Sequence, residues 1–476
     1  AMAYAAASEG MAACLVSTGC AAMNAVTAAL CAYQDNLPVI FISGQHMLNE
    51  TTRYTGTPIR TFGSQEADIV SVVEPVTKYA TMLTDPSKVG YEMDKAINFA
   101  NEGRKGPVWI DVPLDIQNAR IEGDNLERYI SEVGIVECSE TVIQEVADEL
   151  RLAKRPVIFA GGGIRSALAV DILREFVETK KLPLVYSTTA ADVYSTSNAY
   201  SVGAVGSIGG SRAGNFAVQN ADYILAIGTK LCSQSVGISE QFAREARIVV
   251  VDIDENEHTK KGVKLDRIII SDAKKFLTKL NVICEKMDCA QWIEKCEHWK
   301  DIFALKNEPF VKKLMDENKI DLYRFADVLS DLLPDNATVI TDAGMEELII
   351  PSSIRYKQNQ RCLFPASQGA MGYAIPAVLG AFYAGKKKIV AIVGDGSFMM
   401  NMQELQLIGN YQIPVKMFVI NNNMYAVIRK RQHDLFRNRT IGNDPSDGLP
   451  APDFERIANC FGIAYTKIDV ERCLVN

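Results

Sequence analysis

The sequence has few of the residues that build zinc sites, disulfide frameworks or membrane spans. It contains four histidines in 476 residues, its eleven cysteines include no Cys-x-x-Cys pair, and no apolar run is long enough to cross a bilayer. Few histidines argue against zinc, and scattered cysteines in a long chain are typical of reduced thiols in a cytoplasmic enzyme. Because no apolar run is long enough, a transmembrane helix is not expected.

Charge of one sign is not concentrated along the chain either. The net charge is −8, and the basic cluster of Arg429, Lys430 and Arg431 is short. This distribution predicts neither a nucleic-acid partner nor a membrane partner. A hydrophobic content of 48% over this length instead indicates a globular protein with about two to four domains.

Strand and helix patterns alternate along the chain in three successive blocks. Short, unbroken apolar runs between helical patterns are typical of buried parallel strands. Such runs lie at residues 12–16, 39–42, 108–112, 184–187, 223–227, 248–252, 338–341, 388–393 and 415–421. The predicted fold class is α/β, with three doubly wound parallel-sheet domains. We place these domains at residues 1–120, 135–285 and 321–476, and interpret the charged, helical stretch at 285–320 as a linker.

Both ends of the sequence look cut from a longer protein. Residues 1–16 read as a helix that feeds directly into a strand, without an initiator methionine or a signal peptide. Residues 467–476 stop within a strand-like pattern. We therefore expect the first and third domains to be truncated.

The strongest chemical signal lies in the third block. An apolar strand ends in Gly394 and Asp395, and the next strand ends at Asn422, which follows Asp395 by 27 residues. A strand–helix–strand crossover fits this spacing and would bring both residues to the same edge of a parallel sheet. Carboxylate and amide oxygens suit Mg²⁺, which completes its shell with phosphate oxygens and water. The sequence therefore predicts a magnesium and phosphate site at this edge.

The residues after Asp395 agree with a phosphate site. Gly394 and Gly396 would let the backbone approach a phosphate closely, and Ser397 opens an apparent helix whose N-terminus favours an anion. A turn capped by an aspartate is the alternative for an isolated Gly-Asp-Gly. The Asn-Asn pair at the end of the next strand favours the metal site.

These motifs resemble those of thiamine-diphosphate enzymes, in particular acetolactate synthase large subunits and related pyruvate oxidases. Gly-Asp-Gly-Ser, followed one crossover later by Asn-Asn, is similar to the cofactor signature of that family. Further similar segments are DNLPVIFISGQ at 35–45, FPASQGAMGYAIPA at 364–377 and GDGSFMMNMQEL at 394–405. The resemblance covers nearly the whole chain and implies a pyrimidine-binding, a central and a diphosphate-binding domain, in that order.

The resemblance implies a set of metal and cofactor residues. The side chains of Asp395 and Asn422 and the carbonyl of Met424 would bind Mg²⁺. Met371 would hold thiamine in its bent conformation. The alternative role for this methionine is plain core packing. Gly369 would accept a hydrogen bond from the cofactor amino group through its carbonyl. The other implied cofactor-binding residues are Gly344, Gly394, Gly396, Ser397 and Tyr425.

Candidates for the substrate side come from two segments. Gln45 and Gln65 lie in the first block and are predicted, with Met371, as catalytic residues, although a surface or interface role is an equal alternative for each glutamine. Residues 424–436 resemble the substrate-capping segment of the family. Its candidates are Tyr425, Val427 and Arg431, and a basic surface helix is the alternative.

Several positions depart from the family pattern. The essential glutamate of the family would lie before Ala1; Glu9, in a turn that ends a helix, does not replace it, and we expect the glutamate upstream in a longer protein. Cys20 stands in place of a proline and Ser64 in place of a phenylalanine. These changes surround the substrate and leave its identity open.

The loops that would meet the cofactors also differ. The diphosphate loop has Met345 and Glu346 where Gln-His is usual. The central domain of acetolactate synthases binds FAD, but here Lys230 replaces a common arginine, and the glycines at 161–163 and 209–210 also suit tight turns. These differences favour a central domain without FAD, and FAD binding is the alternative.

The resemblance implies decarboxylation of a 2-oxo acid, such as pyruvate, and transfer of the acyl-anion equivalent to a second carbonyl, as in acetolactate synthesis. A related carboligase or lyase with an aldehyde or sugar-ketone acceptor is one alternative. A non-catalytic binding protein on this scaffold is another. The resemblance also implies a homodimer or a tetramer of dimers that combines the first and third blocks of two subunits.

Overall fold

The computed structural model describes residues 1–317, 319–470 and 473. The chain forms two compact units, residues 1–135 with 380–385, and residues 136–379 with 386 onward. Their three sheets are built of parallel strands, which confirms the predicted α/β class with three parallel-sheet domains. The predicted domain boundaries stay predictions.

The sheet of the first unit has four strands in the order β1-β2-β4-β3. They are β1 (Ala12–Val16), β2 (Val39–Gln45), β3 (Tyr79–Met82) and β4 (Val108–Pro113). The helices before and between them are α1 (Met2–Ser8), α2 (Cys20–Asn24), α3 (Val26–Gln34), α4 (Thr52–Thr55), α5 (Ile69–Val73) and α6 (Val89–Asn101), and α7 (Leu114–Gln117) follows β4. Ala96 and Ala100 of α6 pack on Ile40 and Ile110, because small side chains let the helix approach the sheet.

The first sheet of the second unit has six strands in the order β10-β9-β8-β5-β6-β7. They are β5 (Pro156–Ala160), β6 (Leu184–Tyr186), β7 (Ser201–Ala204), β8 (Tyr223–Ile227), β9 (Arg247–Asp252) and β10 (Arg267–Ile270). The helices are α8 (Glu140–Leu152), α9 (Gly163–Ser166), α10 (Val170–Lys180), α11 (Arg212–Asn220), α12 (Ser233–Val236), α13 (Ala273–Ile283) and α14 (Ala290–Ile302).

The charged stretch predicted as a linker is helical, but part of it packs into this core. Trp292 and Trp299 of α14 are buried, and the Trp292 Nε1 donates to the carbonyl of Pro156 at 3.0 Å. Residues 290–302 therefore belong to the packed structure, and the interpretation of this helix as a linker is wrong. The tryptophans are the local signal, since large aromatic side chains are usually buried.

The second sheet of this unit has four strands in the order β12-β11-β13-β14. They are β11 (Thr338–Thr341), β12 (Arg361–Leu363), β13 (Ile389–Gly394) and β14 (Val415–Ile420). The helices are α15 (Pro309–Asp316), α16 (Leu322–Leu332), α17 (Met345–Ser353), α18 (Ala374–Tyr383), α19 (Asp395–Phe398), α20 (Leu405–Asn410), α21 (Ala426–Leu435) and α22 (Phe454–Cys460). The strand-like pattern at 467–476 is not a strand at 467–470, and most of the rest lies outside the described residues.

A buried ion cluster joins the two sheets of the second unit. Asp192 Oδ1 accepts from Arg165 at 2.9 Å, and its Oδ2 accepts from Arg361 at 3.1 Å and from the Cys362 N–H at 2.9 Å. Burial opposes ionisation of Asp192, but the two guanidinium groups outweigh it and hold its pKa below the ordinary value. The charged carboxylate thus ties β12 to the central sheet.

Candidate active site

The ends of β13 and β14 bring together the two residues predicted to bind metal. The strands are parallel neighbours, and Gly394 lies opposite Ile420. Asp395 and Asn422 therefore follow at the same sheet edge, as the crossover spacing predicted. The connection is less helical than expected: α19 has four residues, and a 3₁₀ turn precedes α20.

The carboxylate of Asp395 ties the two strand ends together. It is 6% exposed; Oδ1 accepts the Gly396 N–H and Oδ2 accepts the Asn423 N–H, both at 2.7 Å. Burial raises the pKa of Asp395, and these backbone bonds oppose the shift. Asn422 is exposed, and its Oδ1 accepts the Met424 N–H at 3.1 Å.

These donors fit a hard divalent cation. The Asp395 carboxylate has about four lone-pair positions, and those that its backbone donors leave free can bind a cation, as can the Asn422 amide oxygen. In the part of the chain that the structure describes, no group of three or more histidine, cysteine, aspartate and glutamate side chains is arranged to hold a metal. A cation here would therefore combine one carboxylate with amide, carbonyl and ligand oxygens, which is the chemistry of Mg²⁺.

Tyr425 lies against the glycine that follows Asp395. A Cβ added to Gly396 would come within 1.8 Å of the Tyr425 ring, so this contact requires glycine. The tyrosine backbone N–H donates to the Asn443 carbonyl at 2.9 Å. The structure thus brings two predicted cofactor residues together, with an aromatic ring occupying the space beside Gly396.

Asp342, at the end of β11, organises the loop that carries Met371, and the sequence interpretation missed this role. Its buried carboxylate accepts backbone N–H groups from Ala343 at 2.8 Å, Gly372 at 2.9 Å and Ala374 at 2.7 Å. Burial raises the pKa of Asp342, and these bonds and one from Ser397 oppose the shift.

The loop held by Asp342 leaves Met371 at the surface of its unit. The Met371 side chain is 41% exposed, so it is not packed in the core, the alternative considered for it. Gly369 has a positive φ of 56°, and its N–H donates to the Pro365 carbonyl at 2.8 Å. Asn401, which follows the Gly-Asp-Gly motif, donates to the Gly372 carbonyl at 2.8 Å and joins the loop to that motif.

Two glutamates of the diphosphate loop are buried beside the same sheet edge. Gly344 is the N-cap of α17, and Glu346 and Glu347 lie in the first turn of this helix. A Cβ on Gly394 would lie 3.3 Å from Glu346 Oε1. Burial, and then the charges of Asp342 and Asp395, raise the pKa of Glu346 to about 7. The sequence signal for this buried glutamate was that Met345 and Glu346 stand where Gln-His is usual in the family.

Glu346 is expected to make cofactor binding depend on pH. Its ionised form would repel a diphosphate at the neighbouring edge, so affinity for thiamine diphosphate with Mg²⁺ should fall by up to about tenfold per pH unit above 7. In Glu346→Gln the fall in affinity that is due to ionisation of Glu346 should disappear. Calorimetric titration between pH 6 and 8 measures it, and the same pH dependence in both proteins would contradict the expectation.

The predicted substrate residues of the first unit lie in one hydrogen-bonded region. The single hydroxyl hydrogen of Thr18 is shared between Gln45 Oε1, at an O–O distance of 3.0 Å, and the Gln65 carbonyl, at 3.3 Å. Gln45 is buried, whereas Gln65, Cys20 and Ser64 are exposed. Gln45 and Gln65 belong to the first compact unit, whereas the metal and cofactor candidates, which lie between Gly344 and Tyr425, belong to the second.

Most of the segment predicted to cap the substrate forms α21, whose residues are exposed or half-buried. None of its residues is buried; Val427 is half-buried and Arg431 is exposed. Arg429 forms an ion pair with Asp444. A capping segment and a basic surface helix both agree with this exposure.

Family models match the chain in three parts. Residues 1–70 match the N-terminal TPP binding domain of thiamine pyrophosphate enzymes, residues 143–280 match their central domain, and residues 342–474 match their C-terminal TPP binding domain. The three matches fall on the three sheets in the predicted order.

Curated relatives extend the match to nearly the full chain. The acetolactate synthase large subunit of Lactococcus lactis is 30% identical over 99% of this chain and 80% of its own length. The acetolactate synthase isozyme 1 large subunit of Escherichia coli is 29% identical over 96% of this chain and 78% of its own length. No helix within the described residues is long and apolar enough to cross a membrane.

Proposed function

Since the chain belongs to the thiamine pyrophosphate enzymes of the acetolactate synthase large-subunit family, we propose that it decarboxylates pyruvate or a similar 2-oxo acid and transfers the acyl unit to a second carbonyl. It is a thiamine-diphosphate-dependent transferase with an acetolactate synthase-like function. Its substrates are small molecules.

The observation that carries the proposal is the shared edge of β13 and β14. There Asp395, Asn422 and the carbonyl of Met424 would hold Mg²⁺, because their oxygens suit a hard cation and leave positions for a diphosphate. Gly344, Gly394 and Ser397 line the same edge and would contact the diphosphate. The bound cofactor supplies a stabilised carbanion at its thiazolium carbon.

The loop anchored by Asp342 is the part of the chain that would orient the cofactor. Met371 stands exposed on a loop whose backbone is held at Gly372 and Ala374. We propose that its side chain supports the bent cofactor and that the Gly369 carbonyl accepts the hydrogen bond of the cofactor amino group. Each group would then be positioned before the substrate arrives.

The acceptor that we propose is larger or more polar than pyruvate. Cys20 and Ser64 are exposed and flank a contact between Gly19 and Gln65. A serine in place of an aromatic ring leaves room that an apolar wall would otherwise fill, and its hydroxyl can bond a polyhydroxylated ligand. This supports a sugar-ketone or hydroxylated aldehyde acceptor, with acetolactate synthesis from two pyruvates as the second candidate.

Product analysis separates these two candidates. With pyruvate and hydroxylated aldehydes or ketosugars, we expect a mixed carboligation product to outcompete acetolactate. Acetolactate formation at about 10 s⁻¹, a typical enzyme rate, without competition from any added acceptor would favour the second candidate.

Ser64→Phe is expected to suppress use of the larger acceptor more than decarboxylation of pyruvate. The restored ring would refill the space beside Gln65, and loss of one well-placed contact changes the acceptor KM by about tenfold. Ser64→Ala is the matched control, because it removes the hydroxyl without adding volume. Equal effects of Ser64→Phe on both steps would place Ser64 outside the acceptor pocket.

FAD is not part of the proposal. Cβ atoms added at Gly161 and Gly163 would lie 2.2 Å from the Gly228 carbonyl oxygen and 2.6 Å from the Gly228 Cα, so close packing of two loops accounts for these glycines. Lys230 Nζ contacts Ser367 Oγ at 3.5 Å.

We also propose a homodimer or a tetramer of dimers that combines the first and third domains of two subunits. The support is the resemblance together with the division of candidate residues between two compact units. Light scattering at micromolar concentration measures the assembly, and a fully active monomer would contradict it.

A further inference from the structure

The first unit holds a buried carboxylate that the proposed function does not use. Asp111 of β4 lies opposite Ser43 of β2 and is 1% exposed. Ser43 donates its hydroxyl to Asp111 Oδ1 at 2.5 Å, and Gln45 donates its amide to Asp111 Oδ2 at 3.1 Å. Trp109 Nε1 in turn donates to Ser43 Oγ at 2.9 Å. The hydrogen bonds to this carboxylate thus come from neutral side chains.

Burial makes an ionised carboxylate unfavourable at this position. It raises the pKa of Asp111 to about 6, although the hydrogen bonds from Ser43 and Gln45 oppose the shift; among nearby charges Asp68 raises the pKa and Arg53 lowers it. An asparagine would avoid the cost of burying a charge. Its amide nitrogen would have to face Ser43, whose hydroxyl would then accept instead of donating, because Gln45 Nε2 only donates. The carboxylate accepts from Ser43 and Gln45 together, in the arrangement that the structure shows.

The amide of Gln45 is fully used by protein groups. Besides Asp111, its Nε2 donates to the Ala67 carbonyl at 2.8 Å, and its Oε1 accepts from the Thr18 hydroxyl and the His46 N–H, both at 3.0 Å. The Ala67 carbonyl, the His46 N–H and the Asp111 carboxylate all require the same orientation of this amide, with its nitrogen towards Asp111. Asp111 therefore supplies the buried side-chain acceptor that holds the Gln45 amide in this orientation.

The same network holds the turn that carries Gln65. Thr18 shares its one hydroxyl hydrogen between Gln45 Oε1 and the Gln65 carbonyl at 3.3 Å, and Gln45 Nε2 donates to the Ala67 carbonyl. Gly19, with a φ of 61°, lies so close that an added Cβ would be 2.4 Å from the Gln65 carbonyl oxygen. Gln65 itself has a φ of 69°, a left-handed conformation that is uncommon outside glycine and needs support from its surroundings.

We propose that Asp111 is a positioning residue for Gln65, acting through Gln45 and Thr18 to hold the turn that presents the Gln65 side chain to the acceptor carbonyl. This inference rests on the proposed function, because the acceptor is the second substrate of that reaction. Gln45 then connects Asp111 to the turn and does not itself bind substrate, because its amide already makes four hydrogen-bonding contacts within the protein. The exposed Gln65 side chain is the group that meets the substrate.

The test compares Asp111→Asn and Thr18→Val with the control Asp124→Asn, which changes an exposed carboxylate of the same unit. In Asp111→Asn the Gln45 amide loses its charged acceptor and is held less firmly, so the bond from the His46 N–H to Gln45 Oε1 should weaken. Hydrogen exchange at the His46 N–H should then be faster by up to about tenfold, the effect of losing one hydrogen bond. This readout does not depend on enzyme activity.

Kinetics supply the second readout. Asp111→Asn and Thr18→Val should each raise the acceptor KM by about tenfold, while pyruvate decarboxylation and affinity for thiamine diphosphate with Mg²⁺ change little. The split between the two kinetic readouts separates a positioning role from a general loss of structure, because a general loss of structure would also lower pyruvate decarboxylation and cofactor affinity.

Each other outcome has a defined meaning. An unchanged acceptor KM in Thr18→Val, which leaves the buried carboxylate in place, would overturn the positioning role even if Asp111→Asn does not fold. Unchanged exchange at His46 in a folded Asp111→Asn protein would overturn the network itself. If the wild-type protein forms no carboligation product with any acceptor, the proposed function fails and the positioning role falls with it, while the exchange result still decides whether the network exists.

Discussion

Asp395→Ala is expected to abolish Mg²⁺-dependent binding of thiamine diphosphate. Asp395 would supply the charged ligand of the cation, while Asn422 and Met424 would contribute neutral oxygens. The substitution also removes the bonds that Asp395 accepts from Gly396 and Asn423, so the two strand ends lose their connection. We expect affinity to fall by at least about a hundredfold, or about 3 kcal/mol.

Calorimetric titration of each protein with thiamine diphosphate and Mg²⁺ measures this effect. Asp335→Ala is the matched control, because its carboxylate is 86% exposed and pairs with Lys357 at 3.2 Å in the same part of the chain. The control should bind as the wild type does. Wild-type affinity in Asp395→Ala would remove the proposed metal site.

Asp342→Ala is expected to destabilise the protein strongly and to prevent cofactor binding. The buried carboxylate accepts N–H groups from Ala343, Gly372 and Ala374, and alanine would leave these three donors without it. Each buried donor left unsatisfied costs about 1–3 kcal/mol, so the free energy of unfolding should fall by at least about 3 kcal/mol. The loop that carries Met371 would lose its anchor.

Chemical denaturation without cofactor measures the stability of this variant. The free energy of unfolding of Asp342→Asn should lie between those of Asp342→Ala and the wild type. The amide oxygen of the asparagine still accepts hydrogen bonds, but its nitrogen faces a donor. Asp335→Ala should stay within about 0.5 kcal/mol of wild type, as exposed substitutions usually do. A similarly small change in Asp342→Ala would show that the loop does not depend on this carboxylate.

The sheets and the Asp395 edge were predictable because their signals are local. Unbroken apolar runs mark strands, and β1 and β11 lie at the predicted residues 12–16 and 338–341. The expected burial holds for β11 but not for β1, an end strand of its sheet whose Leu15 is 75% exposed. The adjacency of Asp395 and Asn422 follows from one crossover between parallel strands. The predicted helix that feeds a strand at residues 1–16 is likewise confirmed by α1 and β1.

The supporting contacts were not predictable because their partners are far apart in sequence. Asp342 binds backbone groups 30 and 32 residues away, and Gln45 meets Asp111 across 66 residues. Neither contact leaves a periodic pattern in the sequence. The burial of Glu346 likewise depends on how α17 packs at the sheet edge, so a glutamate that reads as a surface residue lies beside the proposed diphosphate.

Product analysis with ¹³C-labelled pyruvate tests the central claim most directly. The full gene product is incubated with thiamine diphosphate, Mg²⁺ and labelled pyruvate, first alone and then with hydroxylated aldehydes or ketosugars, and the products are identified by NMR. The account predicts release of CO₂ and a labelled acyl carbon joined to a second carbonyl carbon, with the larger acceptor preferred. Unchanged pyruvate in protein that titration shows to be saturated with cofactor would contradict it.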